Sequence, residues 1–309
     1  MAGRLLLIFA CLVGTSWQFA LPKPKPNVIF ILADDLGWND VGFHGNNYVS
    51  TPNIDALAYS GIILNQHYVA PLCSPTRASL LTGRFPTSNG MWQRVMNATQ
   101  PYGLHIQEKL MPQYFKDHGY STHMIGKWHL GFYRMKYTPM YRGFDTYFGH
   151  LNSRIDYYNH SHLSVETIQG STLRGMGYDL YEGNYSSPLL TGQYITRVYT
   201  ERVQELIEKH DTSNPFLLYL PYTSAHLSNP TTFQQAPPET IAKFSYIANP
   251  QRRVQSAVIY EMDISIGHIV QALKNRDMLE NNVGRRRPLL ILDLESSAER
   301  HVRHVCRTN

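Results

Sequence analysis

Cysteine is nearly absent from this chain: 309 residues carry three, Cys11, Cys73 and Cys306. Cys11 falls in a leader-like opening, where Arg4 supplies the positive start, Leu5 to Val13 the apolar run and Gly14 to Ala20 a small-residue cleavage region. With residues 1–20 removed as a signal peptide, Cys73 and Cys306 remain, too few for a disulfide framework. No further apolar run is long enough to cross a bilayer, so no membrane span is expected and the mature chain should be soluble. A large excess of charge of one sign is lacking too. The formal net charge is +5, spread along the chain apart from Arg285-Arg286-Arg287, which argues against a nucleic-acid partner. Internal repeats and long low-complexity segments are lacking; Leu21 to Pro26 reads as a short extended lead-in.

What is present fits the secretory pathway, with a lysosomal or extracellular destination. Asn97-Ala98-Thr99, Asn159-His160-Ser161 and Asn184-Tyr185-Ser186 are acceptor patterns for glycosylation. The length suffices for one large core, or a large and a small one. Abundant tyrosine suits either a carbohydrate-facing surface or half-buried packing.

The apolar run Asn27 to Leu32, ending in Ala33-Asp34-Asp35, has the pattern of a strand buried on both faces. Thr51-Pro52 then caps a helix with Ile54, Leu57 and Ala58 on one side. Pro75 to Leu81 makes a second helix closed by Gly83, and a third around Gln107 to His118 stops at Gly119 before a strand from Tyr120 to Ile125. Tyr194 to Lys209 is helical in period, Pro215 introduces the strand Phe216 to Leu220, and Gln251 to Leu279 is a long helix with Val254, Ala257, Val258, Ile266, Ile269, Val270 and Leu273 inward. Alternating strands and helices imply an α/β fold around a doubly wound, mostly parallel sheet, with reactive groups just past the carboxyl ends of strands.

Cys73 opens the run Cys73-Ser74-Pro75-Thr76-Arg77-Ala78-Ser79-Leu80-Leu81-Thr82-Gly83-Arg84. A small buried cysteine beside an ordinary helix cap is one reading. The other is a reactive group: Arg77, four residues on, lies one turn above Cys73 on the same face, and the helix start would help it attract a tetrahedral oxyanion. Adjacent Asp34 and Asp35 at a strand end are either a solvated loop pair or the oxygen ligands of a hard divalent cation. Lys127 and His129, in Gly126-Lys127-Trp128-His129-Leu130-Gly131, face the same way in extended chain and could hold the oxygens of an anion; singly, they suit a surface charge and a structural histidine. His226 follows the strand after Pro215.

Cys-x-Pro-x-Arg followed by Leu-Leu-Thr-Gly-Arg resembles the sulfatase signature, and Gly126 to Gly131 resembles the second signature of that family. The resemblance runs from Asn27 to Asn282; around Arg142 to Gly149 and Asp156-Tyr157-Tyr158 it is similar to the arylsulfatase B branch, whose relatives act on galactosamine-type glycosaminoglycans. It implies the alkaline phosphatase/sulfatase type of fold. It also implies that a formylglycine-generating enzyme oxidises Cys73 during secretion, giving a hydrated aldehyde. One hydroxyl attacks the sulfur of a sulfate ester, and the other expels sulfate by regenerating the aldehyde. The family roles transferred are nucleophile for Cys73, charge stabilisation for Arg77 and Lys127, sulfate and leaving-group contacts for His129 and His226, and calcium ligation for Asp34, Asp35 and the modified Cys73. Sulfated glycans or aryl sulfate esters are the implied substrates.

The pattern breaks after the long helix. Family members place an acid-amide pair and glycines on a further strand, whereas this chain reads Arg285-Arg286-Arg287-Pro288-Leu289-Leu290-Ile291-Leu292-Asp293-Leu294-Glu295 and then a polar tail. The expected organisation is therefore a signal peptide over 1–20, an N-terminal sulfatase catalytic domain over 21–282 and a divergent tail over 283–309, without the smaller C-terminal sheet domain. A strand from Leu289 to Leu292 could bring Asp293 to the calcium. A rival reading is a secreted, non-catalytic chain with half a metal site; a phosphatase of the same superfold is disfavoured by the intact cysteine motif.

Overall fold

The computed structural model describes residues 25–92, 95–168, 170–229, 233–279, 289–295 and 303–307. The expected signal peptide, the arginine run and the ends of the expected tail lie outside them. Along the chain come β1 (Val28–Asp34), α1 (Pro52–Tyr59), β2 (Ile62–Ile63), α2 (Cys73–Thr82), α3 (Pro86–Asn89), α4 (Met111–Asp117), β3 (Ser121–Ile125) and β4 (Thr146–Gly149). They are followed by β5 (Ser161–Ile168), β6 (Ser171–Tyr178), β7 (Tyr181–Glu182), β8 (Tyr185–Ser186), α5 (Ile195–Lys209), β9 (Phe216–Pro221), α6 (Pro238–Ala242), α7 (Pro250–Asn275), β10 (Leu289–Glu295) and β11 (Arg303–Arg307).

Nine strands form one sheet in the order β2-β11-β10-β1-β9-β3-β4-β7-β8, while β5 and β6 pair only with each other. The five central strands are parallel and the short outer pairs antiparallel, so the sheet is mixed, with the expected parallel centre. Both faces are covered. Ile29, Ile31 and Ala33 pack with residues of α1, α5 and α7, including Ile54, Val198 and Val258. Phe30 and Leu32 pack on the other side with Ala78 and Leu81 of α2 and with Met124 and Trp128. That two-residue alternation sets Asp34 on the face of α2.

One expectation is corrected by local chemistry. The helix expected around Gln107 to His118 is confined to Met111–Asp117, because Pro112 sits in its first turn and fixes where it can begin. Part of the expected tail joins the sheet: β10 runs parallel beside β1, with Asp293 level with Leu32 and Glu295 level with Asp34.

Candidate active site

Four chain segments converge at the carboxyl ends of the central strands. After β1, Asp34 stays in the sheet, its N–H donating to Ser224 O and its carbonyl accepting from Ala225 N. These bonds extend the β1 and β9 pairing by one step and bring His226 against Asp35, with Nε2 3.5 Å from Oδ2. After β3, Gly126 passes so close to its neighbours that a Cβ there would meet Pro221 O at 2.0 Å, at a φ of +130° that L side chains rarely adopt. Lys127 N then donates to Pro221 O, and its side chain runs back toward β1.

Asp34 is the hub. Lys127 Nζ lies 2.5 Å from Asp34 Oδ2 and an Arg77 guanidinium nitrogen 3.5 Å from Oδ1, all three side chains fully buried. Burial alone would push the Asp34 carboxyl up, but Lys127, Arg77 and His226 together hold it well below the usual carboxylate range. Asp35 goes the opposite way, raised by burial and then by the Asp34 charge beside it. Arg77 also donates to Lys127 O at 3.0 Å, tying α2 to the segment after β3.

Helix α2 begins at Cys73 itself, one or two residues earlier than the sequence suggests, with Leu72 as its cap residue. Cys73 is 9% exposed and lines an open cleft of about 160 Å³ shared with His226 and His162. Its neighbour Ser74 donates to His129 O and accepts from Met96 N, both at 3.1 Å, fixing the loop that carries His129 to the start of α2.

The extended geometry expected for Lys127 and His129 does not occur. His129 adopts a φ of +55°, so the two side chains leave the backbone in different directions. They are nonetheless brought into one environment, since Lys127 is among the charges acting on His129. The His129 imidazole Nε2 donates to Met96 O at 2.9 Å, which leaves Nδ1 as the acceptor of a neutral ring. That Nδ1 is buried and has no hydrogen-bond partner among the described residues. Burial, reinforced by Lys127, pushes the imidazole well below its ordinary range. His226 is likewise lowered, by burial and by Lys127, and its Nδ1 donates to Leu227 O.

The chemistry of the donors suits a hard cation in kind. Asp34 Oδ1 is buried with no hydrogen bond from the described residues, and Asp35 adds a second carboxylate. Asp34 and Asp35 would hold such an ion, although among the described residues no group of three or more His, Cys, Asp or Glu side chains gathers around them.

A family profile described as Sulfatase matches residues 26–283. The chain belongs to the sulfatase family. It is 39% identical to arylsulfatase J of Mus musculus over 84% of this chain and 41% of that protein. It is 32% identical to human N-acetylgalactosamine-6-sulfatase over 84% of this chain and 48% of that one; the chain thus spans about half the length of these relatives. Among solved structures, Ps i-CgsB superposes with a TM-score of 0.76 at 30% identity, covering 89% of this chain and 61% of the other. The sulfatase fold agrees with the resemblance carried by the Cys73 and Gly126 motifs.

Several residues around this cleft escaped the sequence reading. His150 follows β4 and is fully buried, its Nε2 3.1 Å from Thr223 Oγ1 and its Nδ1 3.9 Å from Asp179. The rule that reactive groups follow strand ends would have found it, had a strand as short as β4 been read. Tyr157 was noticed only as part of a motif; its hydroxyl donates to His226 O at 2.7 Å. Arg154 and His162, on the outer wall of the cleft, lie in a stretch with no apolar periodicity.

Proposed function

We propose that this chain carries the reactive layer of a sulfuric ester hydrolase acting on sulfated sugars of the glycosaminoglycan type, through formylglycine made from Cys73 and with calcium held by Asp34 and Asp35. The observation carrying this reading is Cys73 at the first position of a helix, at the floor of an open cleft, with Arg77 and Lys127 buried behind it. In the structure the Cys73 thiol stands in for the formyl group. Once modified, that residue supplies the hydrated aldehyde for attack on sulfur and for sulfate release, and calcium supplies a fixed charge that orients it.

This chain's own side chains do the rest. Arg77 and Lys127, fixed against Asp34, present positive charge that needs no reorganisation as the leaving oxygen gains charge. His129, held neutral by burial, is assigned a hydrogen-bond contact to the sulfate and its leaving oxygen. To His226, which lines the cleft with Cys73 and holds Nε2 3.5 Å from Asp35, we assign the contact to the departing alcohol; when the ring is protonated at Nε2, that proton passes to the alcohol and leaves the ring neutral. The galactosamine named in the human relative supports a sugar substrate, as does a crystal of Ps i-CgsB in complex with k-i-k-neocarrahexaose. The leader-like opening and the acceptor patterns support a secretory, lysosomal or extracellular location. No helix among the described residues is long and apolar enough to cross a membrane.

The test uses the full chain purified from secreting cells that possess the formylglycine-generating system. Mass spectrometry of the peptide bearing Cys73 should show conversion, and calcium-dependent release of sulfate from para-nitrophenyl sulfate should vanish in Cys73→Ala. A wholly unmodified thiol would refute the nucleophile. The sparse carboxylate set favours a second reading, in which the cleft binds sulfate esters without turnover. Complete conversion with no sulfate release at saturating calcium would select it.

A further inference from the structure

The floor and the outer wall of the cleft handle charge differently. The wall is made by the first residues after β4 and by β5, and it is held in place at two points. Asn229 Oδ1 accepts from Leu163 N at 2.8 Å, and Glu166 accepts from both the hydroxyl and the N–H of Thr99. Glu166 also accepts from Ser164, so both its oxygens are engaged within the wall. Arg154 lines the same cleft as Cys73, half-buried, and among the described residues its guanidinium makes no ion pair or hydrogen bond. Its backbone carbonyl accepts from His162 Nδ1 at 3.0 Å, which ties the two residues together. His162 is buried, feels the charge of both Arg154 and Lys127, and keeps Nε2 as an acceptor for a sugar hydroxyl.

An arginine on a hydrogen-bonded wall, with no carboxylate partner among the described residues, is equipped to grip a planar or tetrahedral anion with two parallel N–H bonds. We propose that Arg154 forms a subsite for a second anion of the substrate, the carboxylate or further sulfate on the ring next to the one whose sulfate ester lies at Cys73. This rests on the reading of the Cys73 cleft as a sulfate-ester site. It makes an acidic disaccharide, rather than an isolated sulfated sugar, the ligand that fits the whole cleft, with His162 meeting a hydroxyl between the two anions.

The test is binding to the full-length Cys73→Ala variant by calorimetry, with three probes: sulfated N-acetylgalactosamine, the same sugar linked to glucuronate, and the same sugar linked to a neutral ring bearing a second sulfate. At least one disaccharide should bind about tenfold more tightly than the monosaccharide. Arg154→Gln should erase that gain, Arg154→Lys should restore part of it, and neither should alter the monosaccharide, which also reports correct folding. The disaccharide showing the Arg154-dependent gain identifies the anion as carboxylate or sulfate. A gain that survives Arg154→Gln, or no gain with either disaccharide while the monosaccharide still binds, overturns the subsite alone. Failure of every probe to bind overturns the sulfate-ester reading together with it.

Discussion

Cys73 and His226 line the cleft above a buried layer, its floor, where the carboxyl ends of β1, β3 and β9 meet the start of α2; the rim comes from the segment after β4 with the β5 strand. On the floor, Asp34, Arg77 and Lys127 are fully buried and answer one another's charge; on the rim, Arg154 lines the cleft and has no acidic partner among the described residues. A buried cation must be paired because desolvation costs several kcal/mol, whereas a half-exposed one can wait for its counter-ion. The floor is therefore suited to chemistry common to any sulfate ester, and the rim to the choice among esters.

The sharpest way to break this division is to damage the floor and vary the substrate. Lys127→Met should lower kcat/KM by about a hundredfold to a thousandfold, the scale of losing one preorganised charge at a developing oxyanion. The factor should be the same for an aryl sulfate and a disaccharide, as steady-state kinetics on both will show. A loss that depended on the second ring would mean that Lys127 serves recognition as well, and the division would fail.

Asp34→Asn tests the same pairing through stability. The amide leaves two buried cations without their carboxylate, and breaking a buried pair in this way costs about 3–5 kcal/mol. Urea unfolding should report that loss with an unchanged slope, and calcium affinity should fall in the same variant. A change below about 1 kcal/mol would show that water reaches Lys127 and Arg77 far more than their burial implies.

A third way compares the floor with the layer beneath it. Burial pushes the Asp179 carboxyl up to about 7, against the N–H donors of Leu151 and Asn152. A carboxyl whose folded pKa exceeds its unfolded value favours the protonated fold, so its contribution is complete below about pH 4 and is lost as pH rises through about 7. Asp34, held low, works in the opposite sense and loses its contribution only in strong acid. Asp179→Asn should therefore flatten the fall in stability between pH 5 and pH 7.5, an effect of a few kcal/mol at most, read from thermal midpoints across that range. An unchanged slope would place the titration elsewhere.

The floor was legible in the sequence and the rim was not, for physical reasons. Strands buried on both faces read as continuous apolar runs, so β1 and β9 stand out, and the residues that follow them inherit a position. The helical period gave α5 and α7, with Ala257, Val258, Ile266, Ile269 and Leu273 buried and Val254 and Val270 partly so. By contrast, β5 and β6 pair only with each other, and the described side chains of β6 face solvent or are half-buried. Ser171 to Tyr178 has no apolar face to generate a period. His129 shows a different limit, because a single left-handed residue undoes any argument from strand parity. The register of β10 could not be counted across residues 280–288; once formed, it sets Glu295 rather than Asp293 level with Asp34.

The smallest expected effect concerns the tie between floor and rim. Tyr157 lies fully buried in the segment that leads from β4 to β5, and its hydroxyl donates to His226 O at 2.7 Å, with Thr223 O 3.2 Å away. Burial pushes the phenol well above its ordinary range, so it remains a donor at every working pH. Tyr157→Phe keeps the ring and its packing against Tyr194 but removes one hydrogen bond, which costs about 1 kcal/mol, somewhat more if the His226 carbonyl is left dry. Because that carbonyl belongs to the residue assigned the leaving-group proton, kcat should fall a few-fold while KM stays within about twofold, the split expected when positioning rather than binding is lost. A KM change without a kcat change would mean that Tyr157 supports the rim alone. His226 would then be held by the backbone pairing of its neighbours Ser224 and Ala225 to Asp34.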